Sequence, residues 1–187
     1  KYVFYPAQFW PHKNHIYILK AVKILEEKHN IKINILFSGG DKGNKEKVIL
    51  FAKKLGIYQR VIFTGFVSNE DLIALYKNSI ALVMPTFFGP TNLPPLEAFN
   101  LGVPVIYSDL VGLREQVGDA ALMINLNEPN TLSNCILKLL RSNNLKNDLI
   151  AKGYKKAEKN RNHNRIGALE EIIIRFKSKY INFRNLN

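Results

Sequence analysis

The apolar positions of the chain fall into short runs separated by longer stretches with helical spacing. Residues 2–5, 33–38, 60–64, 80–84, 103–107 and 120–124 are short and often apolar on consecutive positions. A strand with one wet face alternates, whereas a strand covered on both faces does not, so these six segments read as buried strands. Between them, Ile18, Ala21, Val22 and Leu25 recur at the spacing of one helix face. Residues 45–55 and 69–77 predict two more helices, the second with Ser68 or Asn69 as its cap. A further helix carries Glu97. Asn92 is its expected cap, Pro94 and Pro95 fall in the first turn where a missing N–H costs little, and Gly102 with Pro104 stops it. Segments 129–141, 145–158 and 165–179 predict the last three helices, and Arg114 with Glu115 reads as a local helix pair outside any site.

This alternation predicts an α/β fold: a Rossmann-like open parallel sheet of about six strands with helices on both faces. Residues 1–187 read as one domain with a basic C-terminal helical segment at 160–187, without linker composition or internal repeat. In such sheets ligands bind in the crevice beyond the carboxyl ends of the strands. The unusual residues fall there. In turn, "PAQFWPHKNH", "SGGDKGN", "GFVSNE", "PTFFGPTNLPP" and "SDLVGLRE" follow the first five strands. These Gly, Pro and polar segments should converge on one cleft.

Composition narrows the class. With 187 residues and 47% hydrophobic content the chain is globular, and neither an apolar run of spanning length nor a signal-peptide pattern is present. The single cysteine, Cys135, lies in an apolar helical pattern and reads as core; a chain with one cysteine suits a reducing, cytoplasmic compartment. The net charge of +12 is concentrated at one end, since residues 152–187 hold 10 Lys/Arg against 3 Asp/Glu. Such a segment is either a solvated helix face or a surface for nucleic acid, an acidic partner or an anionic membrane.

The cleft loops suggest the chemistry of a phosphorylated ligand. The loop at 85–92 followed by a helix start offers main-chain N–H groups to a phosphate or diphosphate, and Lys13, one strand away, adds a point charge. Glu97 would repel a phosphate. Its carboxylate suits a ribose diol, which supplies two hydroxyl donors. Neither G-x-G-x-x-G nor G-x-x-x-x-G-K-[ST] occurs. His12 and His15 are close in sequence but no cysteine or further acid joins them at ligand spacing, so no metal site and no cofactor are expected.

The stretch "NLPPLEAFNLGVPVIYSDLVGLREQVGDAALMINLNEP" resembles the carboxyl-terminal signature of the retaining glycosyltransferases of the GT-B fold, family 4 or "group 1". That signature reads E-G-F-G-L-P-x-L-E-A-x-A-x-G-x-P-V-I, then a glycine-rich turn and V-G-D-A. The segments "VIFTGFVSNEDLIALYKNSIALVMPT" and "YPAQFWPHKNHIYILKA" resemble the blocks that precede it. The resemblance implies one half of a GT-B fold. It also implies a preceding acceptor domain, not represented in these residues, that would hold the acceptor site and the catalytic residues; without it the present segment should be inactive.

Carried over by position, Glu97 matches the second Glu of the family's E-x7-E motif, which holds the donor ribose. Lys13 matches the lysine on the donor diphosphate, Asn92 and Leu93 match the G-L whose backbone meets the phosphates, and Phe66 and Val67 match positions that face the base. Two departures stand out: the first Glu of E-x7-E falls on Gly89, and the family's phosphate-binding arginine falls on Gln8. The chain is expected either to use Thr91 or Asn92 in their place or to bind an unusual donor. The implied function is transfer of a sugar from a nucleotide diphosphate sugar to a glycan or lipid-linked acceptor, with retention, in surface polysaccharide or glycolipid synthesis. The expected partners are the donor, the acceptor, the protein's own N-terminal domain and an anionic membrane surface contacted peripherally, without nucleic acid. The alternatives are a basic α/β nucleic-acid-binding module and a related domain lacking activity.

Overall fold

A computed structural model describes residues 1–89 and 92–162, together with Ile173 and Phe176. The chain divides into one unit of Lys1–Ala157 and another of Glu158–Asn187. In the second unit the expected helix at 165–179 lies outside the described residues except for Ile173 and Phe176, both helical.

The first unit is built on a parallel sheet of six strands: β1 (Tyr2–Pro6), β2 (Asn34–Ser38), β3 (Val61–Gly65), β4 (Leu82–Met84), β5 (Val105–Ser108) and β6 (Ala121–Ile124). Their order across the sheet is β3-β2-β1-β4-β5-β6, with every neighbouring pair parallel. The helices are α1 (His15–His29), α2 (Lys45–Lys54), α3 (Asn69–Lys77), α4 (Pro94–Asn100), α5 (Val111–Val117), α6 (Pro129–Arg141) and α7 (Asn143–Asn162). Each expected strand is present. Where β4 begins later than its apolar run, the ladder still uses the earlier residues: Ile80 N donates to Tyr2 O at 2.8 Å and Phe4 N to Ala81 O at 3.1 Å.

The consecutive apolar runs are explained by cover on both faces. Val3, Phe4 and Tyr5 are all fully buried, as are Val105, Ile106 and Tyr107 in β5. The strand side chain most open to water is on an edge strand, Ile62 on β3 being 44% exposed. On one face α1 packs against α2 and α6. Tyr17 of α1 sends its hydroxyl to Asn125 O, 2.7 Å away, at the entry to α6. The apolar stripe Ile18, Ala21, Val22 and Leu25 lies under it, each residue at most 1% exposed. On the other face α7 crosses α4 closely enough that a Cβ on Gly153 would stand 2.8 Å from the Phe99 ring. Burying a side chain such as Phe4, Phe37 or Phe99 contributes about 1.5–3 kcal/mol. Cys135 is buried in α6, as its pattern predicts.

Two local expectations need correction. Ser68 is the cap of α3, its hydroxyl accepting from Asp71 N at 3.1 Å. Asn92, however, does not cap α4: that position belongs to Leu93, and no side chain bonds the helix start. The segment after β5 also forms a complete short helix, α5, ended by Gly118 at φ +60°. Within it Arg114 pairs with Asp109 through Nε at 2.7 Å rather than with Glu115.

His15 opens α1 with no exposed surface. Its ring stacks on Phe9 at 4.4 Å and touches Tyr5 at 4.9 Å and Phe37 at 5.0 Å, while Nε2 lies 3.4 Å from Ala7 O. Burial pushes its pKa down to about 4; the bond to Ala7 opposes this and the Lys13 charge adds to it. Because the folded value lies below the unfolded one, the stabilisation is complete above about pH 6.5 and declines as pH falls toward the folded value. The expected loss is about 2 kcal/mol by pH 5. Unfolding titrations between pH 7.5 and 5 should show this slope, and His15→Phe should flatten it; an unchanged slope in the variant would assign the dependence elsewhere.

Candidate functional site

The strand order reverses between β1 and β4, and the chain leaves their carboxyl ends in opposite directions. A crevice must open where the two connections part. A cleft of about 560 Å³ occupies this position, lined by Gln8, Trp10, His12 and Lys13 from the β1 side and by Asn92, Leu93 and Pro94 from the β4 side.

The loop after β1 is held from three directions. A 3₁₀ turn at Pro11–Lys13 leads to Asn14 at φ +56°, which redirects the chain into α1. Tyr5 sends its hydroxyl to Lys13 O at 3.0 Å, and Phe87 N donates to His12 O at 2.9 Å, joining this loop to the one after β4. The loop after β2 is stitched on as well: Phe9 N donates to Gly40 O at 3.0 Å. Gly39, at φ +143°, is required for that approach, since a Cβ would stand 2.6 Å from Ala7 O. The loop after β4 is secured from below, where Thr86 donates to Phe88 O at 2.6 Å and Ser108 donates to Thr86 O at 2.8 Å.

Asn92 turns inward and is buried. Its Nδ2 donates to Gly89 O at 2.8 Å and to the Tyr107 hydroxyl at 2.5 Å. Tyr107 donates onward to Gln116 Oε1 at 3.1 Å, and Gln116 Nε2 returns to Asn92 O at 2.6 Å. Burial pushes the Tyr107 phenol up to about 12, against the opposing effect of its bond to Asn92, so it remains protonated. The remaining amide oxygen, Oδ1, accepts from Lys13 Nζ at 3.3 Å. Lys13 is half-buried, and desolvation lowers its pKa from the ordinary lysine range. Its partner among the described residues is a neutral amide rather than a carboxylate.

The candidate residues distribute unevenly. Gln8, Lys13, Asn92 and Leu93 come together in the cleft wall, where Gln8 Oε1 accepts from Trp10 Nε1 at 3.1 Å. Gly89, at φ +147°, lies against Asn92: a Cβ there would collide with the Asn92 amide. Phe66 and Val67 lie on the loop after β3, outside the cleft lining; Phe66 is 78% exposed, with its ring against Gly40. Thr91 lies outside the described residues. Glu97 is exposed on α4, beyond the cleft lining, and its Oε2 accepts from the Tyr76 hydroxyl at 2.7 Å. Sequence reasoning missed Tyr76, Tyr107 and Gln116. The available signal was generic: a buried phenol must find an acceptor, but the primary structure does not say which.

The helix start contributes less than expected. Pro94 and Pro95 have no N–H, and the amides of Leu96 and Glu97 both donate to Leu93 O, at 2.9 and 3.0 Å. Among the described residues, the amides of Asn92 and Leu93 are the donors at this end that no helix bond takes up. Of the cleft lining, Trp10 and Leu93 are large apolar side chains at least 42% exposed; Phe87 and Phe88 after β4 and Val111 after β5 are exposed as well. Among the described residues no group of three His, Cys, Asp or Glu side chains converges for a metal ion, and no helix is long and apolar enough to cross a membrane.

Known proteins share the fold of this domain. Residues 1–156 match the family model for "Glycosyl transferases group 1". The O-antigen chain mannosyltransferase B of Escherichia coli is 31% identical over 158 residues, covering 84% of this chain and 41% of that protein. The chain thus spans less than half the length of this relative. Among solved structures, Anabaena Alr3699/HepE in complex with UDP superposes at a TM-score of 0.78, with 16% identity, over 95% of this chain and 48% of that one. A variant of S. aureus TarM, in complex with fondaparinux, α-GlcNAc-glycerol and UDP, gives the same score at 16% identity, over 92% and 34%. These structures share its open six-stranded parallel sheet, the Rossmann-like half of GT-B glycosyltransferases. By the match across residues 1–156, the chain belongs to the group 1 glycosyl transferases.

Proposed function

We propose that this domain holds the donor for transfer of a sugar from a nucleotide diphosphate sugar, with retention, to a glycan or lipid-linked acceptor in surface polysaccharide or glycolipid synthesis. One observation carries the reading: a half-buried lysine at the topological switch point, held by a neutral amide and therefore free to neutralise an anion. A carboxylate partner would have cancelled that charge. In this reading the amides of Asn92 and Leu93 join Lys13 on the diphosphate, Glu97 accepts from the ribose hydroxyls, and Phe66 with Val67 borders the base. Lys13 and the amides stabilise the leaving diphosphate without a metal. The acceptor and the catalytic groups belong to a preceding domain. The name of the E. coli relative supports the glycan context, and the UDP complexes of two structural neighbours support a nucleotide donor. The basic segment at 160–187 would serve contact with an anionic membrane on its cytoplasmic face.

The two departures from the family pattern read differently against this geometry. Gln8 still lines the cleft but brings no charge, which leaves Lys13 as the cation of the wall. Gly89 and Asn92 act as a pair, the Asn92 side chain filling the space a residue at 89 would need. Gly89→Glu should cost about 1–3 kcal/mol, from positive-φ strain and the collision. Adding Asn92→Gly should relieve the collision and leave the backbone strain. Urea unfolding of Gly89→Glu, Asn92→Gly and the double variant measures this as a cycle, because Asn92→Gly alone also gives up the bonds to Tyr107 and Lys13; a double variant whose loss equals the sum of the two single losses would show that the two positions are independent.

Isothermal titration with nucleoside, monophosphate and diphosphate series of uridine, guanosine and adenosine tests the function. Lys13→Ala should weaken the diphosphate roughly tenfold to a hundredfold and leave the nucleoside unchanged. Glu97→Gln should weaken all three members of the series. Wild-type affinities in both variants, or a salt-dependent gel shift with RNA that Lys13→Ala abolishes, would overturn the assignment.

A further inference from the structure

Glu97 is exposed on α4, yet one of its carboxylate oxygens is already engaged by the core. Tyr76 lies in the last turn of α3 with 1% of its surface exposed. Its ring meets Phe4 edge-on at 5.0 Å. The backbone around it is clamped independently of Glu97: Leu75 O accepts from the Tyr2 hydroxyl at 2.7 Å, and Tyr76 O accepts from Ser79 Oγ at 2.7 Å. The phenol oxygen therefore occupies a point fixed by packing against β1. From that point it donates to Glu97 Oε2 at 2.7 Å. Burial, reinforced by the neighbouring carboxylate, raises the phenol pKa far above the ordinary range, so the hydroxyl stays a donor at any working pH.

A free glutamate on a helix surface samples several rotamers, and a ligand that needs one of them must bear the entropy of selecting it. Here that selection is made during folding. We propose that Tyr76 is a positioning residue: by holding Oε2 of Glu97 it presents the carboxylate, whose Oε1 has no partner among the described residues, to accept from the hydroxyls of a bound ribose. The inference rests on the donor-site reading of Glu97 above. It differs from a purely structural role, in which Glu97 merely satisfies a buried phenol. A structural role predicts no change, or a uniform one, across ligands when the hydroxyl is removed. A positioning role predicts a change confined to ligands that bring ribose hydroxyls.

The test is Tyr76→Phe in the full chain, titrated with UDP, GDP and ADP and with their 2′,3′-dideoxy counterparts. Phenylalanine keeps the contact with Phe4 and releases Glu97 to water, so the fold should persist; a melting curve checks it. The ribose diphosphate that binds wild type best should weaken about three- to tenfold, and its dideoxy counterpart should not change. In a Glu97→Gln background the same substitution should have a smaller effect, because the charge-assisted bond is already gone. Equal losses on ribose and dideoxy ligands would make Tyr76 structural and overturn the inference. So would wild-type binding by Tyr76→Phe alongside a weakened Glu97→Gln. If Glu97→Gln itself binds as wild type, the ribose assignment fails first and the role of Tyr76 falls with it.

Discussion

The pairing of β1 with β4 is the junction on which the rest of the structure depends. It rests on a short contact, with Phe4 opposite Leu82 and Phe4 N bonded to Ala81 O. On one side of it the chain winds outward through β2 and β3; on the other it winds through β5 and β6. Two connections that diverge from adjacent strand ends cannot cover the gap between them, so the cleft follows from the winding rather than from any single loop. Burial on both faces keeps that junction in place. Slipping β1 by one residue would exchange the faces met by Phe4 and Tyr5, and both side chains are fully buried where they are.

What the loops then do is limit freedom. The wall after β1 is tied to β1 itself through Tyr5, to the β4 loop through Phe87, and to the β2 loop through Phe9. The opposite wall is a closed circuit of side chains in which Asn92, Tyr107 and Gln116 satisfy one another. A buried polar network with every member paired adds rigidity, whereas one left half-paired would cost more than an apolar core. Lys13 is the outlet of this circuit: the side-chain amide that holds it is itself held by Gly89 O and the Tyr107 hydroxyl.

The primary structure revealed the frame of the fold more fully than its site. Strands showed because apolar runs on consecutive positions have few other uses, and α6 matched its expected bounds because Pro129 and the change after Arg141 mark both ends. The helix α5 did not show: seven residues with Gly112 inside and an exposed Val111 carry little periodic signal. Asn92 was legible as a residue that matters but not in its role. A side chain able to cap a helix is equally able to turn inward, and the choice was made by Tyr107, 15 positions away. Tyr76 and Glu97, 21 apart, illustrate the same limit. Their meeting is a product of helix placement, which no local pattern encodes.

The neutral cradle around Lys13 also separates two electrical roles that a basic protein usually merges. The +12 net charge acts at long range, and at physiological ionic strength such a field fades over about 8 Å. A lysine half withdrawn from water is screened far less. Gathering anions near the surface is thus a matter of the whole chain and of the surrounding electrolyte. On the donor reading proposed above, telling a phosphate from a hydroxyl, once one has arrived, would be a matter of a single ammonium group whose strength the electrolyte barely alters.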